Sequence, residues 1–289
     1  MDARAARLQV LAAAALFSTG GAAIKACHLS SWQVASLRSG IAAVALLLLV
    51  PQARHGFRWR TLPVALAYAA TLILFVTATK LTTAANAIFL QSTAPLYLLL
   101  LGPWLLHERV RARDLAYMLA VGAGLTLVFL GDTGAQATAP DPGRGNLLAL
   151  ASGVTYALVL LGFRWLGTRP DAGPGDAAAA AVAGNALAWI IGLPWALPVT
   201  ESTPADWAVL AFLGVVQIGL AYKFLTAGMR SVPAFEASLL VLVEPVLNPV
   251  WTWMVHGEVP GLGAVAGGVV ILAATALKTG SDLRRAPAA

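Results

Sequence analysis

The chain has 289 residues, of which 59% are hydrophobic and 11% charged, and a net charge of +6. Soluble domains carry about 25% charged residues, and a water-soluble fold of this size has no room to hide so much apolar surface, so the solvent is lipid. The positive charge is not a nucleic-acid signal, because the arginines sit in short loops between apolar segments, and the one cysteine, Cys27, excludes an internal disulfide and a cysteine metal site.

Apolar stretches of about 20 residues, the length of a membrane span, fill the chain in order. The first, Leu8–Ala26, follows Arg4 and Arg7 and runs into small residues. It imitates a secretory signal, but removing it would leave nine spans and break the repeat described below. Trp32–Val50, Leu62–Leu81, Ala84–Leu106 and Ala112–Leu130 complete a first set of five. Gly131 to Arg144, rich in Gly, Pro, Ala and Thr, reads as a flexible linker. Asn146–Leu166, Ala177–Leu197, Trp207–Gly228, Ala234–Val255 and Leu262–Lys278 form the second set. The expected organisation is a first repeat over 1–131, a linker over 132–144, a second repeat over 145–280 and a tail over 281–289.

The second set repeats the first at a constant offset of 150 residues. Lys80 answers to Arg230, Ala84 to Ala234, Ala87 to Ala237, Leu90 to Leu240, Pro95 to Pro245 and Glu108 to Glu258. An odd number of spans per repeat inverts one copy relative to the other, an arrangement used by many secondary transporters. The expected fold is therefore an all-α integral membrane protein of ten transmembrane helices in two inverted five-helix repeats.

Loop charges orient it. With the N-terminus inside, the inner segments hold Arg4, Arg7, Arg54, Arg58, Arg60, Arg109, Arg111, Arg113, Arg164, Arg169, Arg230, Lys278, Arg284 and Arg285, and the outer side holds Lys25, Lys80 and Arg144. Both termini are thus expected in the cytoplasm. Trp32, Trp195, Trp207, Trp251 and Trp253 then fall toward the outer interface, and Trp59, Trp104 and Trp165 toward the inner one. Gly122 and Gly124 in the fifth span, with Gly263, Gly267 and Gly268 in the tenth, mark close helix packing.

Polar side chains inside spans are costly and face a cavity or one another. Tyr68, Asn86, Gln91, Tyr97, Tyr156, Gln217, Tyr222, Lys223, Glu244 and Asn248 are the expected cavity residues; Asn185 and Glu236 are also deep. Pro95, Pro245 and Pro249 are expected hinges, since proline removes a helix hydrogen bond. Glu244 beside Pro245 reads either as a proton or substrate site or as the partner of Lys223 or Arg38. Asn and Gln on the fourth span offer donors and acceptors together, or serve as interhelical bonds. Lys25, Arg38, Glu108 and Glu258 read as structural or gating charges. Lys25 lies close enough to an interface to snorkel, and Glu108 and Glu258 are expected to cap spans or pair with loop arginines such as Arg109 or Arg111.

Several stretches resemble the EamA type of the drug/metabolite transporter superfamily. Gly21 to Lys25 leading to Arg38 resembles its opening, and Pro95 followed by His107, Glu108 and Arg109 its first-half pattern. Glu244 and Pro245 followed by His256 and Glu258, then a Gly-rich closing span, resemble its second half. The resemblance covers essentially the whole chain. It implies export of small polar metabolites from bacteria through the inner membrane, and within the family the chain looks closest to amino-acid exporters, including those for aromatic amino acids. Exporters of cationic drugs and carriers of nucleotide-linked metabolites share the fold and stand as alternatives. The sequence departs from the pattern at Arg38, whose expected second-half counterpart falls at Leu187 to Trp189. The partners implied are a small-molecule substrate and the bilayer, with no nucleic acid, cofactor or metal; the oligomeric state is open. An intramembrane enzyme is disfavoured, because His28, His55, His107 and His256 all fall near span ends, no His-Glu-x-x-His run exists, and neither Asp132 nor Asp176 lies deep.

Overall fold

A computed structural model describes residues 3–105, 112–131, 134–167, 169–173, 175–229, 232 and 240–283. In the first half the helices are α1 (Ala3–Ser18), α2 (Gly20–Ala26), α3 (Ser31–Leu49), α4 (Thr61–Leu81), α5 (Ala84–Gln91), α6 (Ala94–Leu105) and α7 (Ala112–Leu130). The second half holds α8 (Pro142–Gly167), α9 (Asp176–Ala196), α10 (Pro204–Ala211), a π-helical stretch (Phe212–Leu220), α11 (Ala221–Gly228), α12 (Val243–His256) and α13 (Leu262–Leu283). Among the described residues seven helical segments are long and apolar enough to cross a membrane: Arg4–Ala26, Ser31–Leu49, Thr61–Leu81, Ala84–Leu101, Pro142–Gly167, Asp176–Ala196 and Pro204–Gly228. Asp114–Leu130 and Leu262–Lys278 are shorter apolar helices.

Local chemistry sets several helix starts. Ser30 caps α3 in a reciprocal box with Gln33, and Thr203 does the same for α10 with Asp206, ahead of Pro204 in the first turn. The Thr83 hydroxyl accepts from the Asn86 amide and starts α5. At the far end of α12, Gly257 takes the left-handed conformation (φ 64°) that closes a helix. Leu130 and Leu262, 80% and 90% exposed, show large apolar side chains turned outward, as lipid solvent requires.

The helix pairings map onto themselves when the halves are exchanged. α4 packs on α8 as α11 packs on α1, α4 on α9 as the π-helical stretch packs on α3, and α5 on α8 as α12 packs on α1. α3 and α9, and α7 and α13, pair directly. The chain of α1 is part of this interior, with Ala6, Val10, Ala13 and Ala14 fully buried.

The expected fourth span is broken. α5 stops at Gln91 and α6 restarts at Ala94, with Pro95 in its first turn, where no N–H is needed. The ninth repeats this, because α12 begins at Val243 with Pro245 in its first turn, and Pro249 lies inside it. The residues 233–239 that open the expected ninth span lie outside the described residues, as do Glu236 and Arg230.

Two expectations change. The segment after Gly131 is not a loose tether: Ala139 is fully buried, the Asp141 amide donates to the Leu81 carbonyl (3.0 Å), and the Lys25 ammonium bonds the Thr138 carbonyl. Gly122 is not a packing glycine, since a methyl there would meet nothing within 4 Å. The expected Gly124, Gly263 and Gly267 do carry the α7–α13 contact, joined by Gly131, while Gly268 faces the Phe89 ring.

Candidate functional site

One cavity of about 170 Å³ draws its walls from both halves. The first half supplies Phe17 at the end of α1, Arg38 of α3, Tyr68, Thr71 and Phe75 of α4, and Gln91 where α5 stops. The second supplies Tyr156 of α8, Gln217 of the π-helical stretch, Tyr222 of α11 and Glu244 of α12. Helix breaks place several of these groups. Gln91 and Glu244 flank the interruptions before Pro95 and Pro245, where the helix leaves backbone groups without internal partners.

A row of tyrosines crosses the cavity wall. The Tyr68 hydroxyl donates to that of Tyr222 at 2.8 Å, and Tyr222 meets the Phe17 ring edge-on at 5.6 Å. Tyr68 lies within electrostatic reach of Arg38, and Tyr156 and Tyr222 within reach of Glu244. Arg38 and Glu244 themselves form no ion pair among the described residues, although both are cavity walls. Arg38 is 3% exposed, and its Nε has no hydrogen-bond partner.

Six of the sequence-expected cavity residues therefore share one space: Tyr68, Gln91, Tyr156, Gln217, Tyr222 and Glu244. Four do not. Asn86 is buried away from it and donates to the Asn146 side-chain oxygen (3.1 Å), which also accepts from the Thr82 hydroxyl (2.7 Å). Tyr97 lies beside Gly153 of α8, and Asn248 is buried against Gly21 of α2. Lys223 is exposed on α11 and lines no part of the cavity, so it is not the partner of Glu244. The Asn185 Nδ2 donates to the Ala181 carbonyl of its own helix (3.0 Å), and its Oδ1 is buried without a partner among the described residues. Arg38, read from the sequence as a structural or gating charge, also lines the cavity. Phe17 and Phe75 were not legible as lining residues, because an aromatic in an all-apolar span gives no sign of which face it takes.

The other charges also find their places. Lys25 does not snorkel: its ammonium pairs with the Glu258 carboxylate at 2.9 Å, with side chains 4% and 2% exposed, and donates to the Thr82 carbonyl (2.9 Å). Glu258 also accepts from the Ala84 amide at 2.7 Å, capping α5, so its partners are not the loop arginines. Glu108, Arg109 and Arg111 lie outside the described residues. Cys27, buried at the end of α2, has its thiol raised above the ordinary pKa by that burial, which suits an inert packing group. Trp32 stacks on Trp195 at 4.9 Å, two of the tryptophans expected at one interface.

Asn86→Ala is expected to lower stability by about 1 kcal/mol or less, the usual worth of an interhelical hydrogen bond, and to leave the KM for any transported substrate unchanged. Unfolding and transport titrations of the same preparation measure both; a several-fold rise in KM would return Asn86 to the cavity.

The model of the EamA-like transporter family matches residues 5–130 and again residues 143–279. Among solved structures, one titled "Crystal structure of protein" resembles the chain with a TM-score of 0.62 at 22% identity, over 95% of this chain and 98% of its own, a likeness of fold alone. No curated protein matches the chain. Two successive family matches on a helical bundle with seven long apolar segments among the described residues establish a multi-pass membrane protein, a transporter of small molecules: the chain belongs to the EamA-like transporter family.

Proposed function

We propose that this protein is a secondary exporter of small metabolites, amino acids and aromatic ones among them, in the bacterial inner membrane. The reading takes ten helices as two inverted repeats, 1–131 and 145–280, with both termini in the cytoplasm. The halves rock about the central cavity, giving access to each side in turn, and bend at the breaks before Pro95 and Pro245 and at Pro249 inside α12. The observation that carries it is the makeup of that cavity, in which the two halves of the chain contribute a guanidinium, a carboxylate and three tyrosines to one small space. Size supports a small cargo. An apolar cavity of about 150 Å³ admits benzene, whereas pockets for drug-sized ligands run to about 300–1,000 Å³. The presence of both charge signs weighs against a cationic multidrug cargo, which would favour a net acidic wall.

Counterflow tests the reading. Liposomes holding the purified protein are preloaded with all the common amino acids, and uptake of labelled phenylalanine, threonine and lysine is followed. Uptake of phenylalanine that collapses without the preload is the expected result. No preload-dependent uptake of any label, from protein shown to be folded, would sink the amino-acid reading.

A further inference from the structure

The cavity holds three polar groups whose bonding capacity the described residues leave unfilled. The first is the Arg38 guanidinium, in a residue 3% exposed whose Nε donates to nothing. The second is the side-chain oxygen of Gln217, in a residue 8% exposed, which accepts from nothing. The third is the Glu244 carboxylate, for which the described residues provide no hydrogen bond or ion pair. Unpaired charges inside a membrane protein are expensive and mark substrate paths.

The orientation of Gln217 is fixed by its surroundings. Its Nε2 donates to the Phe17 carbonyl at 3.2 Å, one of the carbonyls left free where α1 ends. Gly20 makes room for that amide, since a methyl at Gly20 would lie 2.9 Å from Nε2. With the nitrogen committed as donor, the oxygen that remains is an acceptor. Arg38 has only donors to offer, and Glu244, when ionised, only acceptors. The cavity therefore presents donors at Arg38 and acceptors at Glu244 and Gln217, with Tyr68, Tyr156 and Tyr222 in the same wall. A ligand carrying one anionic and one cationic group completes all three, and a ligand with one charge strands the opposite wall.

We propose that the cavity recognises the α-amino acid zwitterion by both of its charges. Arg38 receives the carboxylate, Glu244 and the Gln217 oxygen receive the ammonium, and the side chain lies against Tyr68 and Tyr156. This rests on the amino-acid export reading and adds to it a rule of selection. Sites built to bond a substrate group reject the analogue that lacks it far more strongly than apolar pockets reject a missing methylene.

The test uses three ligands of one ring size: phenylalanine, phenethylamine, which lacks the carboxylate, and 3-phenylpropanoate, which lacks the ammonium. Each competes against labelled phenylalanine in counterflow by the full-length protein. In the wild type both analogues are expected to compete at least 100-fold more weakly than phenylalanine. Arg38→Gln is expected to weaken phenylalanine at least 30-fold and leave phenethylamine unchanged, collapsing the ratio between them. Glu244→Gln is expected to collapse the ratio of phenylalanine to 3-phenylpropanoate in the same way. A merely structural role for either residue would weaken all three ligands together and leave the ratios intact. Either analogue competing as well as phenylalanine in the wild type overturns the proposal while counterflow itself, and with it the export reading, stands. Absence of counterflow in the folded wild type removes both. The wild-type series needs no variant, so it decides the matter even if Arg38→Gln fails to fold.

Discussion

Replacing Lys25 by methionine is expected to lower the unfolding free energy of the purified protein by about 3–5 kcal/mol, the cost of stranding one member of a buried ion pair. The pair joins Lys25 at the end of α2 to Glu258 beyond α12, at 2.9 Å and almost wholly out of solvent. Its surroundings make the loss lopsided. Glu258 keeps one neutral donor, the Ala84 amide at 2.7 Å, when the lysine goes. Lys25 keeps the Thr82 and Thr138 carbonyls when the carboxylate goes. Glu258→Gln is therefore expected to cost less than Lys25→Met, and the double variant less than the sum of the two. Denaturant unfolding in mixed micelles of wild type, both single variants and the double variant gives the coupling directly. Single variants within about 0.5 kcal/mol of wild type, the range of ordinary surface changes, would show that the pair adds nothing. The same contact ties the first half to the second, on the side expected to face outward if the termini are cytoplasmic. In the alternating-access reading it is a contact that outward opening has to break.

The repeat was legible because it is a matter of composition and spacing. Pro95 and Pro245, at one offset, mark helix breaks in both halves, and their breaks position Gln91 and Glu244. Amphipathic periodicity, which locates a functional face in a soluble helix, is absent where lipid and core are both apolar. That is why Asn86 and Gln91, five residues apart on one short helix, were read alike but part company, one to Asn146 and one to the cavity. The place of Arg38 in the cavity wall was not legible for a related reason. Its depth in α3 was plain, but whether a buried cation meets a carboxylate or an open space depends on α4 and the π-helical stretch opposite, far away in sequence. Lys25 and Glu258 were each recognised as structural or gating charges, yet their pairing crosses more than 200 residues of chain and leaves no local trace. Lys223 shows the converse: a cation in mid-span with a tyrosine beside it still lies on the exposed side of α11.

Substituting Gly267 by leucine is expected to disrupt the bundle, while the same change at Gly122 is expected to be harmless. α7 and α13 touch backbone to backbone. A Cβ on Gly267 would lie 2.4 Å from the Gly124 carbonyl oxygen, and one on Gly131 would lie 2.3 Å from the Gly263 Cα. Neither neighbour is the end of a movable side chain, so the helices must separate along the seam. Separation forfeits dispersion contacts, and in lipid those contacts and interhelical bonds hold helices together, since apolar burial gives no drive. Overpacking costs about 1–3 kcal/mol in cores where side chains can yield, and here the loss is expected at or above the upper end. The ion pair of Lys278 with Asp114 (2.8 Å) joins the same two helices and would be stretched with them. Gly122 sits on α7 as well, but a Cβ there meets nothing within 4 Å. Leucine at that position faces open space and gains roughly 0.5–1 kcal/mol from the better helix propensity. Size-exclusion profiles and unfolding midpoints of the two variants, made side by side, check the difference. Equal midpoints for Gly267→Leu and wild type would mean that the α7–α13 seam does not hold the protein together.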